Sequence, residues 1–436
     1  MRKVITYGTY DLLHYGHVRL LERAKALGDY LIVGVTTEDF DRSRGKINVQ
    51  QSLIERMEGV RATGLADEII VEEYEGQKID DIRRYQVDVF AIGSDWAGKF
   101  DYLKEYCEVV YLDRTEGVSS TDLRNETVLR LGLLGQSSNV DKVLREAEFV
   151  NGLQAAAVVT GEDEAAYDEM LEHVDAVYIY SHPSRHTRDI KKALLSGKHV
   201  LVETPVTLSR EELHELQALA KSRGLILAEA LKTAFSTAFN RLVNLIKSGK
   251  IGQVVSVDSA CTSMENVENV PKEALSERWN SIFDWGPTGL LPIFELLGTD
   301  VKNKRIISSI EKDTVYDYFS KIDFVFPRAV ASTRVGKGVK TEGELIVSGT
   351  KGYAYVPAPW WKTDSFEIRY EDMRQNQRYF YLLEGEGIRY ELVAFLHAVL
   401  TGRTTELIDS TVTEAIVGVM EDYCAGKDLT VLEGEE

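Results

Sequence analysis

Two successive sets of short apolar runs, separated by segments with helical spacing, limit most strongly how this chain can fold. The first set begins at "KVITYG" and ends at "EVVYL", near Leu112. The second begins at "VLRLGLLG", near Val128, and ends at "GLILAEAL". Strand-like runs that alternate with helices predict parallel sheets covered by helices on both faces. The chain is therefore predicted to contain two Rossmann-like α/β domains, one after the other.

The pattern changes after Thr233. Longer, alternating, aromatic-rich runs follow, such as "KIDFVFPRAVASTRV" and "KGYAYVPAPWW", and they predict a large open, mostly antiparallel sheet in an α+β domain. With 436 residues the chain is long enough for two or three cores. The predicted domains are residues 1–126, 127–233 and 234–436.

Charge and cysteine content exclude several classes of partner. The formal net charge is −19, which repels phosphate backbones and anionic lipid surfaces and speaks against nucleic-acid partners. The three cysteines have no CxxC spacing, so neither a disulfide framework nor a zinc site is predicted. No apolar run approaches the roughly 20 residues of a spanning helix. We expect a soluble cytoplasmic protein without membrane insertion.

The stretch "YGTYDLLHYGH", Tyr7 to His17, follows the first apolar run and precedes a helical segment. A strand, a turn and a helix start bring main-chain N–H groups and the positive end of the helix dipole to one place, which suits a bound phosphate. His14 and His17 are three residues apart and share one side of the first helical turn. Both could donate hydrogen bonds to a triphosphate. The alternative is a surface pair or a buried histidine with a structural partner.

Together with "GSDWAGKFDYLKEYCEVVYL" and "RTEGVSSTDLR", this motif resembles the HxGH nucleotidyltransferases. Within them it is most similar to the glycerol-3-phosphate cytidylyltransferases, over residues 1–126. The resemblance implies transfer of CMP from CTP to a polyol phosphate. The expected acceptor is sn-glycerol 3-phosphate, and the products are then CDP-glycerol and pyrophosphate. Mg²⁺ would arrive with CTP, and no resident metal is expected. Products of this type feed bacterial teichoic acid or capsule polymers.

The resemblance also assigns site residues. The catalytic set is His14, His17, Lys46 and Arg114. The nucleotide-binding set is Thr9, Tyr10, Asp11, Gly16, Asp95, Thr115, Glu116, Gly117, Ser119, Ser120 and Thr121. Arg44 and Lys78 match positions that contact the phosphorylated alcohol. Asp11 has two interpretations, a residue that caps the turn or a carboxylate near the metal. The neighbouring pair Glu72 and Glu73 is predicted to be a solvated edge.

From about Val128 onward the chain resembles the glucose-fructose oxidoreductase and inositol dehydrogenase family. The motifs are "HPSRHTRDIKKALLSGKHVLVETP", "LIKSGKIGQVVSV" and "FDWGPTGLLPIFELLG". Three departures predict a degenerate oxidoreductase site. Gly135 is followed by Ser137 where a dinucleotide-binding turn has its second glycine. Thr204 replaces the family's lysine, and Thr288 replaces its proton-donating histidine or tyrosine. We therefore expect NAD(P) not to be used for catalysis.

Two alternatives remain open at this point. In the first, Lys232, His182 or His186 compensates for the lost lysine, and the second half makes the polyol phosphate with NAD(P)H. In the second, the whole chain is a nucleotide-binding scaffold or sensor. The expected ligands of the main interpretation are CTP and a small polyol phosphate. Both resembled families imply a homodimer or a higher homo-oligomer, formed through the carboxy-terminal sheet.

Overall fold

The computed structural model divides the chain into two compact units. The residues it describes are 1–13, 15–43, 49, 51–74, 76–113, 128–135, 138–150, 152–160, 163–265, 270–275, 278–381, 383–402, 404 and 407–432. Unit 1 is Met1–Val128 and unit 2 is Leu129–Glu436. The predicted boundary at 233/234 falls inside unit 2, and the three-domain division stays a prediction.

Unit 1 is built on one parallel sheet. Its strands are β1 (Lys3–Gly8), β2 (Tyr30–Thr36), β3 (Glu68–Glu72), β4 (Val89–Gly93) and β5 (Glu108–Leu112). Its helices are α1 (Tyr15–Lys25), α2 (Glu38–Ser43), α3 (Leu53–Ala62) and α4 (Gln77–Tyr85), with 3-10 helices at Ser94–Trp96 and Asp101–Glu105. The strand order is β3-β2-β1-β4-β5. Because the order reverses between β1 and β4, ligands are expected outside the carboxyl ends of these two strands.

Apolar side chains on both faces of this sheet form the core of unit 1. In β1, Val4 enters the cluster on one face and Ile5 enters the cluster on the other, and both are fully buried. Helix α1 adds Leu21 and Ala24 to the first cluster, and α4 adds Ile82 to the second. The inner strands β1, β2 and β4 are buried on both faces, as parallel strands with helical crossovers require, and the edge strands β3 and β5 are mostly half-buried.

Unit 2 begins with a second parallel sheet. Its strands are β6 (Leu129–Gly135), β7 (Leu153–Val159), β8 (Ala176–Tyr180), β9 (His199–Glu203) and β10 (Leu227–Ala230). The helices between them are α5 (Ser138–Ala147), α6 (Glu164–His173), α7 (Pro183–Leu195) and α8 (Arg210–Ser222). The strand order is β10-β9-β8-β6-β7, and every neighbouring pair is parallel. The order reverses between β6 and β8, which is where a ligand is expected in this sheet.

A large mixed sheet follows in the same unit. Its strands are β11 (Val254–Thr262), β12 (Asn303–Ile310), β13 (Asp317–Val325), β14 (Val330–Gly336), β15 (Leu345–Gly349), β16 (Tyr353–Val356), β17 (Ser365–Arg369), β18 (Gln377–Phe380) and β19 (Leu429–Val431). Their order is β18-β17-β16-β15-β11-β14-β13-β12-β19. The pairs β11 with β14 and β12 with β19 are parallel, and the other neighbours are antiparallel. The predicted fold class is confirmed.

The remaining helices pack on this sheet and on the second parallel sheet. They are α9 (Thr237–Lys247), α10 (Lys272–Leu275), α11 (Ser281–Leu297), α12 (Ile388–Thr401) and α13 (Ser410–Cys424), with 3-10 helices at Lys232–Phe235, Trp360–Lys362, Met373–Gln375 and Gly385–Gly387. In α12, Leu392 and Phe395 are fully buried in the cluster that contains Leu131 of β6. The end of the chain therefore completes the core of the parallel sheet. None of the helices in the described ranges has the length and apolar character needed to cross a bilayer.

Candidate active site

The turn between β1 and α1 contains two non-glycine residues in the left-handed backbone region. The φ angle is 53° at Tyr10 and 46° at Leu12. Such a conformation costs on the order of 1–3 kcal/mol per residue and persists only where the surroundings enforce it. Strain of this kind concentrates at active sites and ligand-binding turns. The strained turn lies at the carboxyl end of the central strand and is the candidate site of unit 1.

The ring of Tyr10 is buried and lies against His17. Tyr10 is 2% exposed, and its ring centroid is 5.5 Å from that of His17 in an edge-to-face arrangement. A Cβ atom at Gly8 would lie 2.9 Å from the Tyr10 ring, so glycine leaves room for this ring. Burial raises the pKa of Tyr10 above its usual value, so the phenol stays neutral. Tyr10 thus restricts the position of His17 in the first turn of α1, where an anion is favoured.

Asp11 joins this turn to the start of α3. Its Oδ1 atom accepts a hydrogen bond from the main-chain N–H of Gln51 at 2.9 Å, and Asp11 is 3% exposed. In return, the side-chain oxygen of Gln51 accepts from the N–H of Leu12 at 2.7 Å. Asp11 therefore takes the turn-bracing position that was one of its two interpretations. Its assignment as a nucleotide-binding residue stays a prediction.

A buried arginine that the sequence analysis missed holds the same turn. Arg56 in α3 is fully buried, and its Nη1 atom donates to the carbonyl oxygens of Thr9 and Thr36, both at 2.8 Å. Its Nε atom donates to the carbonyl oxygen of Gln51 at 3.0 Å. Arg56 thus ties the ends of β1 and β2 to Gln51, two residues before α3. The available signal was its helical spacing between Leu53 and Val60, which predicts an inward-facing position.

Asp41 is the second residue that the sequence analysis missed. It is fully buried and accepts hydrogen bonds from the hydroxyl groups of Thr9 at 3.1 Å and Thr36 at 2.6 Å. Its Oδ2 atom also lies 3.8 Å from Nη1 of Arg56. The hydroxyl group of Thr9, a predicted nucleotide-binding residue, is therefore oriented by a buried carboxylate. Positioning of this kind is what a preformed ligand site requires.

Lys78 is buried in unit 1 and paired with Glu72. Lys78 is 7% exposed, and its ammonium group forms an ion pair and hydrogen bond with the carboxylate of Glu72, which is 1% exposed. The ammonium nitrogen also lies 4.7 Å from the ring centroid of Tyr7 and 5.4 Å from that of Phe100. The prediction that Glu72 belongs to a solvated edge is wrong, because this lysine brings its carboxylate inside. The predicted contact of Lys78 with an acceptor stays a prediction.

Asp95 lies at the end of the neighbouring strand. It is exposed in the short 3-10 helix that directly follows β4, on the other side of the strand-order reversal from the β1 turn. Gly16 lies in the first turn of α1. The other predicted residues of this site lie outside the described residues: His14, Arg44, Lys46, Arg114, Thr115, Glu116, Gly117, Ser119, Ser120 and Thr121.

In unit 2, Gly135 ends β6 at the strand-order reversal. Its φ angle is 139°, and a Cβ atom there would lie 2.2 Å from the carbonyl oxygen of Tyr180 in β8. This position therefore requires glycine for reasons of local packing. Ser137, the predicted departure from the dinucleotide-binding turn, lies outside the described residues.

Thr204, which stands where the resembled family has lysine, is engaged in a buried hydrogen bond. It is 3% exposed, and its hydroxyl group donates to Oε1 of Glu229. The other carboxylate oxygen of Glu229 accepts from the hydroxyl group of Thr413 in α13 at 2.7 Å. Two hydroxyl groups thus satisfy a carboxylate that is 5% exposed. Neither of them can supply the positive charge of a lysine.

The other predicted residues near this sheet edge have structural partners or positions. Thr288 is 8% exposed within α11. His182 is the N-cap residue of α7. His186 is fully buried, and its two ring nitrogens lie 2.8 Å from the carbonyl oxygens of Ser181 and Pro205. His186 therefore braces the segments that follow β8 and β9.

Two carboxylic acids with raised pKa values interact near the end of β9: Glu203, which directly precedes Thr204, and the buried Glu391. Burial raises the pKa of Glu203 to about 7, although its Oε2 atom accepts a hydrogen bond from the hydroxyl group of Tyr178 at 2.6 Å. Burial also raises the pKa of Glu391 in α12 well above its usual range, and the charge of Glu203 raises it further. The charge of Lys232 opposes both shifts. This cluster was not predicted, because its members are far apart in the sequence.

No resident metal centre is formed by the described part of the chain. Within the ranges given above, no three histidine, cysteine, aspartate or glutamate side chains come together in a way that could hold a metal ion.

The strained turn of unit 1, with a histidine in the first helical turn at the crevice of a parallel sheet, defines a nucleotidyltransferase-type α/β domain. Residues 5–126 match the cytidylyltransferase-like family, and the chain belongs to this family. Over 126 residues it is 52% identical to glycerol-3-phosphate cytidylyltransferase of Bacillus spizizenii, which covers 29% of this chain and 97% of that protein. The first predicted resemblance is confirmed.

Residues 137–231 match the oxidoreductase family with an NAD-binding Rossmann fold. Over 206 residues the chain is 32% identical to dTDP-3,4-didehydro-2,6-dideoxy-alpha-D-glucose 3-reductase of Streptomyces antibioticus, covering 47% of this chain and 63% of that protein. KijD10, a 3-ketoreductase from Actinomadura kijaniata in complex with NADP and TDP-benzene, is similar in structure. The TM-score is 0.62 at 18% identity, over 70% of this chain and 100% of that chain. This likeness shows the fold, and the second predicted resemblance is confirmed.

Proposed function

We propose that unit 1 transfers CMP from CTP to a polyol phosphate and that sn-glycerol 3-phosphate is its preferred acceptor. A phosphate oxygen of the acceptor attacks the α-phosphorus of CTP. The bond between that phosphorus and the oxygen that bridges to the β-phosphate breaks, and CDP-glycerol and pyrophosphate are released. The observation that carries this proposal is the 52% identity to glycerol-3-phosphate cytidylyltransferase across 97% of that protein.

The reaction requires alignment and positive charge more than a general base. The phosphate of the acceptor is already ionised at neutral pH and can attack without losing a proton to the protein. We propose that His17, held against Tyr10, donates hydrogen bonds to the phosphates of CTP, and that His14, Lys46 and Arg114 complete the cationic set. If CTP binds as its Mg²⁺ complex, the metal would offset the charge of the leaving pyrophosphate.

The remaining predicted residues divide between the two substrates. Thr9, Gly16 and Asp95 are proposed to contact the nucleotide from the carboxyl ends of β1 and β4, together with the second motif, residues 114–121. Arg44 and Lys78 are proposed to contact the acceptor phosphate. For Lys78 this means that the ammonium group shares its charge between Glu72 and the ligand, because Glu72 is its partner in this structure.

Pyrophosphate release is the experiment that tests the first proposal. The full chain is incubated with CTP or ATP and a panel of phosphorylated alcohols that includes sn-glycerol 3-phosphate, phosphocholine, phosphoethanolamine and longer polyol phosphates. We expect release with CTP and a polyol phosphate, and the preferred acceptor identifies the product. Absence of release with every acceptor would favour the scaffold or sensor alternative.

For unit 2 we propose a Rossmann-type domain that retains its fold without hydride transfer. The fold and Gly135 are compatible with a bound nucleotide, so NAD(P) binding itself is not opposed by the described residues. The position of the family's lysine, however, holds Thr204, and its hydroxyl group is committed to Glu229. The test is titration of NADH and NADPH fluorescence, with and without keto sugars. Binding accompanied by oxidation would favour the bifunctional alternative.

Location and assembly are proposed on the same basis. We propose a cytoplasmic protein in which unit 2 serves assembly, stability or ligand sensing, and a homodimer or higher homo-oligomer formed through the mixed sheet. Light scattering of the full chain measures the assembly directly. A monomer at micromolar concentration would contradict this part of the proposal.

A further inference from the structure

Three lysines of unit 2 converge on the carboxylate of Glu386. The ammonium nitrogens of Lys142 and Lys232 lie 3.1 Å and 3.2 Å from its Oε2 atom, and that of Lys362 lies 3.5 Å from its Oε1 atom. The lysines come from three separate places: α5, the 3-10 helix after β10, and the 3-10 helix before β17. Three cations around one carboxylate are unusual in a chain with 70 acidic and 51 basic residues.

The lysine cluster lies beside the carboxyl edge of the second parallel sheet. Lys232 follows the end of β10 by two residues, and Lys142 lies in the helix that follows β6. Ligands of open α/β sheets bind outside this edge. The charge of Lys232 also acts to lower the pKa of Glu203 and the pKa of Glu391. The cluster is therefore positioned where a small ligand of this unit would be expected.

Glu386 is presented by a turn that depends on two glycines. Its φ angle is 54°, and it lies between Gly385 at 57° and Gly387 at 94°. A Cβ atom at Gly385 would lie 2.1 Å from a carboxylate oxygen of Glu146, and one at Gly387 would lie 2.9 Å from the carbonyl oxygen of Lys232. The sequence thus fits this turn closely against α5 and the start of the 3-10 helix, and it places an acid among the three lysines.

The charges in this cluster are unequal. Although burial raises it, the pKa of Glu386 is held down at about 2 by the charge of Lys232 and by hydrogen bonds from Lys142 and Lys232. Among the described side chains of this cluster, one carboxylate lies within 3.5 Å of three ammonium groups. Each ammonium group can donate up to three hydrogen bonds, whereas a carboxylate offers only two oxygens. A phosphate dianion provides more charge and at least three acceptor oxygens, and lysine is a common phosphate ligand.

We propose that Lys142, Lys232 and Lys362 form a binding site for a phosphate dianion, free or as a monoester, and that Glu386 fills it as an internal anion that the ligand displaces. The side chain of Glu386 is 37% exposed, so it can rotate to solvent without unfolding its turn. The proposal concerns unit 2 alone and does not depend on the reaction proposed for unit 1.

Isothermal titration of the full chain, in buffer without phosphate or sulfate, tests this site. The titrants are sn-glycerol 3-phosphate, inorganic phosphate and acetate. Glu386→Gln removes the internal anion and keeps the size of the side chain. We expect it to tighten phosphate binding by about tenfold or more, because a hydrogen-bonded charge no longer competes. Adding Lys232→Gln to this variant should remove the gain.

Matched variants separate this site from phosphate binding in unit 1. Glu295→Gln removes a carboxylate from another lysine pair of unit 2, where Glu295 lies 3.0 Å from Lys247, and it should leave the affinity unchanged. Any phosphate bound by unit 1 contributes equally to all variants, and pyrophosphate release from CTP should be the same in each. A preference for glycerol 3-phosphate over inorganic phosphate in Glu386→Gln identifies a monoester site. Equal affinities identify a site for free phosphate.

Three results would overturn the proposal. The first is equal phosphate affinity in the unchanged chain, Glu386→Gln and Glu386→Gln with Lys232→Gln. The second is an equal gain for acetate, which would show that any anion is accepted. The third is a large loss of thermal stability in Glu386→Gln that phosphate does not reverse, since Glu386 would then be a structural brace. The proposal for unit 1 is unaffected by any of them.

Discussion

Strands β1 and β6 each lie at the strand-order reversal of their own sheet, but the described residues at their carboxyl ends differ in kind. In unit 1, the turn after β1 is strained at Tyr10 and Leu12. Arg56 donates a hydrogen bond to the carbonyl oxygen of Thr9 in this turn. In unit 2, β6 ends at Gly135, where a Cβ atom would lie 2.2 Å from the carbonyl oxygen of Tyr180. Two parallel sheets with different strand orders thus have a strained turn beside the reversal in one unit and a closely packed glycine beside it in the other.

The fold determines where a ligand can bind, and the side chains at that place determine whether a reaction is catalysed there. In unit 1, Thr9 is oriented by the buried carboxylate of Asp41, and Asp11 is oriented by the main-chain N–H of Gln51. In unit 2, the hydroxyl groups of Thr204 and Thr413 donate hydrogen bonds to the carboxylate of Glu229. Buried hydrogen bonds orient side chains in both units, and in unit 1 they lie around the strained turn after β1.

The largest expected effect is that of Arg56→Met. It removes hydrogen bonds to the carbonyl oxygens of Thr9 and Thr36 and leaves the buried carboxylate of Asp41 without its cation. Breaking a buried ion pair from one side costs about 3–5 kcal/mol. We expect hydrogen exchange in the full chain to accelerate across residues 3–13 and 30–43, with exchange in unit 2 unchanged.

The control for this variant is Arg61→Met on the same helix. Arg61 is 58% exposed and pairs with Glu58 at the surface, so its loss should change stability by less than about 0.5 kcal/mol. If Arg56→Met and Arg61→Met gave the same exchange rates, Arg56 would not hold the turn.

The next effect is a loss of turnover in His17→Ala. Removing one preorganised hydrogen-bond donor from a site of developing negative charge lowers kcat by about 10²–10³-fold. We expect this loss in the pyrophosphate-release assay, with the fold of unit 1 retained in circular dichroism. His173→Ala, an exposed histidine at the end of α6, should keep full activity. Full activity in His17→Ala would exclude the proposed role.

Much of this comparison could be read from the sequence because it depends on local patterns. Strand-like runs and helical spacing predicted both parallel sheets, and the HxGH stretch located the turn after β1. The departures at Thr204 and Thr288, where the resembled family has a lysine and a proton donor, were visible because a motif has fixed positions. Such features depend on neighbours within a few residues or on a short, fixed spacing of residue types.

Contacts between distant segments could not be predicted in this way. Arg56 contacts carbonyl groups 47 and 20 residues away, and nothing local to α3 identifies them. Glu72 looked like part of a solvated edge because Lys78, which pairs with it, belongs to the next helix. Helix α12 joins the core of a sheet that ended more than 150 residues earlier in the chain. In each case the partner is chosen by the tertiary structure.

The stability of unit 2 is expected to depend on pH through Glu203. Burial raises the pKa of Glu203 from 4.5 to about 7. Between these two pH values the folded chain keeps a proton that the unfolded chain has lost, so the stability of unit 2 falls as the pH rises from 4.5 to 7. Glu203→Gln removes this loss, and Tyr178 can still donate to the amide oxygen. We expect a gain of at most about 3 kcal/mol at pH 8 and little change at pH 4.5.

Denaturant unfolding of the full chain at the two pH values measures this gain. Some pH dependence will remain in the variant, because burial also raises the pKa of Glu229 and of Glu391. Glu172→Gln, at an exposed position of α6, serves as the control and should change stability equally at both pH values. A gain in Glu203→Gln that is the same at pH 4.5 and pH 8 would contradict burial as its cause.

The smallest effect is expected for Thr204→Val, and it bears most directly on the difference between the two sites. The variant removes one hydrogen bond to Glu229 while Thr413 still donates the other, so we expect a loss of about 1 kcal/mol in the stability of unit 2. Thr187→Val, which removes a bond to Glu212 nearer the surface, should cost less. CTP turnover should be unchanged in both. If Thr204→Val instead abolished oxidation of NAD(P)H in the presence of a keto sugar, Thr204 would be part of a working site, and unit 2 would have to be counted as a second enzyme.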